Sequence, residues 1–162
     1  MNIKGIWTSR KEKGFTLVEL LVVIAIIGVL ATLVLLQLGT ARARARDTKR
    51  ITDVNQIRTA IEQYFEDNNG KYPTVATWET DVRPYLTKVP VDPLDATKHY
   101  GYATDTTRSK YMVWTTLEQT AAALNGDADI PGQTLGWSGA VNGDDSACST
   151  DKTKCIYDQG IQ

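Results

Sequence analysis

Lys13-Gly14-Phe15-Thr16-Leu17-Val18-Glu19 opens a stretch of chain whose polarity is almost nil. From Phe15 to Leu38 the only polar side chains are Thr16, Glu19, Thr32 and Gln37, with Gly28 in the middle. From Leu20 to Leu36 there is neither charge nor proline. About twenty such residues in a helix span the roughly 30 Å hydrocarbon core of a bilayer. A buried helix of a soluble core is shorter and less uniform, so this segment reads as a membrane-spanning helix over residues 15–38.

Glu19 is the anomaly, because a charge near the start of such a helix costs several kcal/mol unless it is paired or reaches the interface. One reading has Glu19 snorkelling at the membrane boundary. The other comes from the residues before it. A cut between Gly14 and Phe15 creates an α-amino group four residues from Glu19, one helical turn away, and that amine also has the reach to meet the Glu19 of a neighbouring copy.

Gly14-Phe15-Thr16-Leu17-Val18-Glu19 followed by a long apolar helix resembles the class III signal of type IV pilins and type II secretion pseudopilins. The resemblance is strict over about residues 10–72, with a weaker echo to Glu118. It implies that a prepilin peptidase cuts after Gly14 and N-methylates Phe15, and that Glu19 helps subunits dock into a filament. Many members carry proline at the position of Leu36, and here the chain departs from them, although Gly28 matches their glycine. Gly70-Lys71-Tyr72-Pro73-Thr74 and Pro90-Val91-Asp92-Pro93 also resemble pseudopilin patterns.

Charge follows the same division. In residues 1–14, Lys4, Arg10, Lys11 and Lys13 against Glu12 leave +3, while the remainder has 14 basic and 18 acidic side chains, a balance of −4. The leader's cations suit a cytoplasmic N-terminus. They do not fix orientation alone, since Arg42, Arg44, Arg46, Lys49 and Arg50 flank the other end of the span. The processing motif places the N-terminus inside and the head outside, as a single-pass protein of the cytoplasmic (inner) membrane. Ala41-Arg42-Ala43 mimics a secretory cleavage site, but the apolar run exceeds the 7–15 residues of a signal-peptide core. A mature part of this balance gives no support for general nucleic-acid binding.

Beyond Thr40 the pattern turns amphipathic. Ile51, Val54, Ile57, Ile61, Tyr64 and Phe65 recur at steps of three and four, the stripe of a helix with one buried face. No proline interrupts residues 15–69, so one helix is expected to run the whole way, on the order of 80 Å. It ends at Asn68-Asn69-Gly70, with Pro73 just beyond. The basic cluster Arg42, Arg46, Lys49 and Arg50 shares a face and has two readings: contact with lipid phosphates or acids of the next subunit, or an ordinary solvated face.

Residues 74–99 read as a connection with a short helix around Trp78, Val82, Tyr85 and Leu86, limited by Pro84. Tyr100–Ala103 and Tyr111–Leu117 are rich in aromatic and β-branched residues and form an antiparallel hairpin across the polar segment 104–110. Leu135–Trp137 and Lys154–Tyr157 are candidate further strands. The tryptophans and tyrosines belong to the core and hairpin rather than to a ligand cage. The expected architecture is α+β, a long helix packed on a small antiparallel sheet in pilin-like fashion. Its divisions are a leader (1–14), a transmembrane helix (15–38), its amphipathic continuation (39–69) and a globular head (70–162).

Cys148 and Cys155 are the only cysteines. In an extracytoplasmic setting they are expected to form a disulfide closing a short loop, worth about 2–3 kcal/mol in the chain-entropy view. Spaced acids among glycines, Asn125-Gly126-Asp127-Ala128-Asp129 and Asn142-Gly143-Asp144-Asp145, offer oxygen ligands of the kind Ca²⁺ takes. The family resemblance also brings calcium to a C-terminal loop. No full EF-hand pattern is present, so no metal residues are assigned. His99 is the only histidine, and no phosphate loop, zinc motif, nucleophile elbow or CxxC accompanies it, so no catalytic residue is expected.

The reading is therefore a structural subunit of a type II secretion pseudopilus or pilus-like filament, acting in protein secretion. Its partners are copies of itself and related minor subunits, prepilin peptidase, an inner-membrane assembly platform and membrane lipid, without nucleic acid. The alternatives are a true type IV pilin for adhesion, motility or DNA uptake, and a membrane-tethered binding module that uses the helix only as an anchor.

Overall fold

A computed structural model describes residues 14–119, 121–130 and 155–161. The chain divides at Gly39 into two compact units, 1–39 and 40–162, and the first helix, α1 (Leu17–Asp67), contributes to both. In the first unit α1 is exposed along its apolar length, from Leu17 at 78% to Leu38 at 39%, and it is long and apolar enough to cross a membrane. Its one mid-span hydroxyl, Thr32, donates to the Val29 carbonyl at 2.7 Å, leaving no polar atom there that needs water.

In the second unit the expected stripe is the core. Val54, Ile57 and Ile61 are fully buried and Ala60 nearly so, with Ile51 and Phe65 packed at the margin. The helix ends in two left-handed residues, Asn69 (φ 56°) and Gly70 (φ 68°). The Gly70 N–H reaches back to the Phe65 carbonyl at 3.1 Å, the six-to-one bond of a Schellman cap. Asn69 and Gly70 both take the left-handed conformation that glycine, and among other residues asparagine, tolerates best. A short α2 (Trp78–Asp81) follows, then a 3₁₀ turn Arg83–Tyr85 in which Pro84 fits the first turn.

Three strands, β1 (Gly101–Thr104), β2 (Tyr111–Thr116) and β3 (Ile156–Ile161), form an antiparallel sheet in that order. The register sets Tyr102 opposite Val113 and Thr115 opposite Tyr157. The hairpin matches the expectation, with strand ends shifted by a residue. The third strand lies further along than Lys154–Tyr157, because Asp158-Gln159-Gly160 continues it despite poor strand propensity. Leu135–Trp137 lies outside the described residues.

One face of β2, with Tyr111 and Val113, joins the cluster built on Val54, Ile57 and Ile61. Met112 points to the other face and is equally buried, as is Ile130. The connection to α1 is also polar. Tyr111 and Tyr72 hydroxyls donate to Glu62, and the Tyr100 hydroxyl donates to Asp53 at 2.7 Å. Burial, reinforced by these carboxylates, pushes the Tyr100 and Tyr111 hydroxyls up, keeping them donors. Tyr72, Trp78, Tyr100, Tyr102, Tyr111 and Tyr157 are core, as expected, while Trp137 lies outside the described residues.

Gly160 sits where a side chain has no room: a Cβ there would lie 2.1 Å from the Tyr111 carbonyl oxygen and 2.9 Å from Ile130 Cδ1. Gly160→Ala is expected to cost about 1–3 kcal/mol by overpacking. The measurement is the thermal midpoint of the detergent-solubilised full chain followed by near-ultraviolet circular dichroism. An unchanged midpoint would place β3 in a different register.

Candidate functional site

Two places carry the chemistry that the sequence singled out, and a third was not visible in it. The first is the start of α1. Thr16 is the residue before the helix, and it and Glu19 cap each other. The Thr16 N–H donates to Glu19 Oε2 at 2.8 Å, its hydroxyl donates to the same oxygen at 2.7 Å, and the Glu19 N–H donates to Thr16 Oγ1 at 3.2 Å. This is a reciprocal capping box, which satisfies two of the N–H groups a helix start leaves bare. The carboxylate also lies at the positive end of the helix dipole. Thr-x-x-Glu before an apolar run is a readable signal for this arrangement, but the sequence reading used Glu19 alone. Gly14 and Phe15 precede the cap outside the helix, both exposed, and a Cβ at Gly14 would meet nothing within 4 Å.

The second place is at β3. Asp127, Asp129 and Asp158 bring carboxylate oxygens within 4.8 Å of one another, the one such cluster among the described residues. Asp158 is fully buried; it accepts the Asp129 N–H at 3.1 Å and the Ile130 N–H at 2.8 Å. Burial pushes its carboxyl up to about 6, against these hydrogen bonds and with the charge of Asp129 adding to the rise. Three hard oxygen donors so close are half or less of the six to eight ligands Ca²⁺ takes, leaving carbonyls and water to complete a shell. The donor set fits that ion. The sequence had pointed to Asp127 and Asp129; Asp158 was missed because strand pairing brings it in from afar. Asp144 and Asp145 lie outside the described residues. Cys155 is buried beside the core, and its carbonyl accepts the Leu117 N–H at 2.7 Å. Cys148 lies outside the described residues.

The third place corrects the reading of the basic cluster. Arg50 faces neither lipid nor bulk solvent, and Arg46, half-buried, is turned to an acid of the head. Arg50 is 4% exposed. Its guanidinium reaches Asp92 at 2.7 and 3.1 Å, Asp47 at 2.8 Å and Glu118 at 2.6 Å. Arg46 takes the other side of Glu118 with two bonds of 2.7 and 2.5 Å, and Lys49 pairs with Asp53. The acids are themselves anchored to backbone: Asp47 accepts the Glu118 and Gln119 N–H groups, and Asp92 those of Leu94 and Asp95. Burial lowers the guanidinium's affinity for its proton, and the hydrogen bonds it donates to Asp92, Glu118 and Asp47 more than offset that. His99 pairs with Glu79 at 2.8 Å.

Such a molecule, an exposed apolar helix capped at its start and continuing into a small α+β head, belongs to the class of helix-anchored pilin-like subunits. Residues 9–35 match the prokaryotic N-terminal methylation motif. Similar proteins include the type II secretion system core protein G of Pseudomonas aeruginosa, 30% identical over 75% of this chain and 94% of that one. That of Pectobacterium carotovorum is 37% identical over 53% of each chain, so the match spans about half the length of this relative. A probable minor fimbrial protein of Dichelobacter nodosus is 40% identical over 38% of this chain and 39% of its own. No solved structure matches significantly. The chain belongs to the family of type II secretion system core protein G.

Arg50→Met is expected to destabilise the head by about 3–5 kcal/mol, because it leaves the buried Asp47 and Asp92 without their cation and Glu118 with Arg46 alone; chemical denaturation of the full chain in detergent measures it. The acid limb gives a second check. Hydrogen bonds from Arg46 and then Arg50 hold the Glu118 carboxyl down at about 2. Its contribution is complete above the ordinary glutamate range near 4.5 and fades as pH falls toward about 2. Glu118→Gln should therefore lower stability at pH 7 and flatten the fall in stability between pH 4.5 and 2.

Proposed function

We propose that this chain is a structural, non-catalytic subunit of a type II secretion pseudopilus. The observation that carries this reading is the capped start of α1 two residues after Gly14, followed by an apolar helix exposed on every side. Such a surface needs lipid before assembly and other helices after it. The chain is inserted in the inner membrane with its N-terminus inside and residues 70–162 outside. Prepilin peptidase removes residues 1–14 and methylates Phe15, and an assembly platform stacks the product with copies of itself and minor subunits.

Glu19 then has two uses in sequence. In the uncut chain its charge is satisfied by Thr16. After the cut, the new amine at Phe15 competes for the same carboxylate, from its own chain or a neighbour's. Cys148 and Cys155 close a disulfide that ties the tail to the core. Asp127, Asp129 and Asp158 hold Ca²⁺, which supplies the positive charge that the three acids lack and staples the 127–130 segment to β3. The likeness to a probable minor fimbrial protein favours a pilus as the second reading, in which the same assembly serves adhesion, motility or DNA uptake.

The intact mass and N-terminal sequence of the protein from its native membrane test the processing. A start at Phe15 carrying one methyl group is expected, and a start at Met1 or near Ala43 would remove the basis of the filament reading. Glu19→Ala should abolish incorporation into filaments while leaving membrane insertion intact; normal incorporation would instead indicate a plain anchor. Calcium is tested by the thermal midpoint of the purified chain in Ca²⁺ and in chelator. The ion should raise it by several degrees in the wild type and leave Asp158→Asn unmoved.

A further inference from the structure

A groove of about 520 Å³ runs along the C-terminal end of α1, lined by Thr59, Glu62, Gln63, Glu66, Asp67 and Tyr85. Its charged side chains are all acidic. Two of its carboxylates are held in place from the head. The Tyr111 and Tyr72 hydroxyls donate to Glu62 at 2.6 and 3.2 Å, and the Tyr85 hydroxyl donates to Asp67 at 2.8 Å. The third, Glu66, is exposed and has no partner among the described residues. Arg58, one turn before Glu62, turns away to donate to Gln159 at 2.8 Å. Like charges lining one groove repel one another, and a cation entering it is attracted by each of the three carboxylates.

Matching cations exist on the same helix. Arg42 and Arg44 are exposed and make no ion pair among the described residues, whereas Arg46, Lys49 and Arg50 are engaged within the head. From Arg44 to Glu66 the uninterrupted helix advances roughly 33 Å, at 1.5 Å per residue. No side chain covers that distance, so a chain cannot neutralise its own groove with these arginines. The two patches can meet only between copies. Because they are different patches, the contact is head-to-tail: each copy offers its arginines to one neighbour and its acids to another. A heterologous contact of that kind propagates along an axis instead of closing into a dimer.

We propose that the acidic groove, with Glu66 at its rim and Glu62 and Asp67 behind, receives Arg42 and Arg44 of a second copy displaced along the helix axis. The proposal rests on the filament reading and gives it a register. The competing occupant for these arginines is an anionic lipid headgroup, which suits cations just beyond a membrane span.

The test is a charge swap in the full-length protein, scored as the filament fraction recovered from membranes. Glu66→Lys and Arg44→Glu are each expected to reduce assembly about tenfold, since reversal sets like charges against each other, and the double variant to recover most of it. Neither single change should move the thermal midpoint, because neither side chain has a partner among the described residues of its own chain. A double variant no better than the worse single overturns the pairing, as do single variants that assemble normally. Loss in Arg44→Glu that instead tracks weaker binding to phosphatidylglycerol vesicles assigns the arginines to lipid. A wild-type chain that forms no filament sinks the filament reading and this register together.

Discussion

A guanidinium held out of water needs acids around it, and those around Arg50 come from its own helix and two distant parts of the chain. Asp47 lies one turn away on the same helix, Asp92 in the proline-flanked turn before the sheet, and Glu118 just past β2. Burying this ion cluster is worth little in net stability against an apolar alternative. Its value is geometric. Asp47 and Asp92 also bind the backbone of the turns that follow β2 and precede β1, so satisfying one arginine sets where both enter and leave the sheet. The apolar stripe of Val54, Ile57 and Ile61 supplies the driving force, which is non-directional. The charges decide which way the sheet faces on it.

That division of labour explains what was legible in the sequence. The span, the stripe and the hairpin rest on local periodicity and composition, and they emerged with ends shifted by about two residues. The role of Arg46 and Arg50 did not. A basic run after a membrane span looks like a solvated or lipid-facing surface, and nothing local marks Asp92 and Glu118 as partners when they lie 42 and 68 positions from Arg50. Asp158 was hidden for a related reason. A strand reading of Asp-Gln-Gly is unfavourable by propensity, and only the ladder to β2 makes it one. The Thr16–Glu19 cap differs: its spacing was in plain view, but attention to Glu19 as an unpaired charge obscured the hydroxyl three residues before it.

The two units of the chain meet different solvents through one helix. The described apolar side chains of α1 between Leu17 and Leu38 are exposed, and the polar groups of Thr16, Glu19 and Thr32 are met locally, by Thr16 with Glu19 and by Thr32 with Val29. Beyond Thr40, polar groups find partners far along the chain. Arg50 reaches Asp92, Tyr100 reaches Asp53 and Tyr111 reaches Glu62. The first pattern is what a segment requires when it must be complete by itself in lipid. The second is what a segment requires when a head folds against it in water.

The placement of β3 bears on how the head comes to exist at all. β1 and β2 meet across a short turn, but β3 reaches β2 only after residues 117–155 have intervened. Contacts so separated form late, because loop closure must precede them. Until β3 arrives, one whole side of β2, with its row of bare N–H and C=O groups, is open to any other strand. At the crowded surface where these subunits gather, such an edge is an invitation to mispairing. Mispairing of this kind grows with the concentration of heads whose third strand has not yet docked.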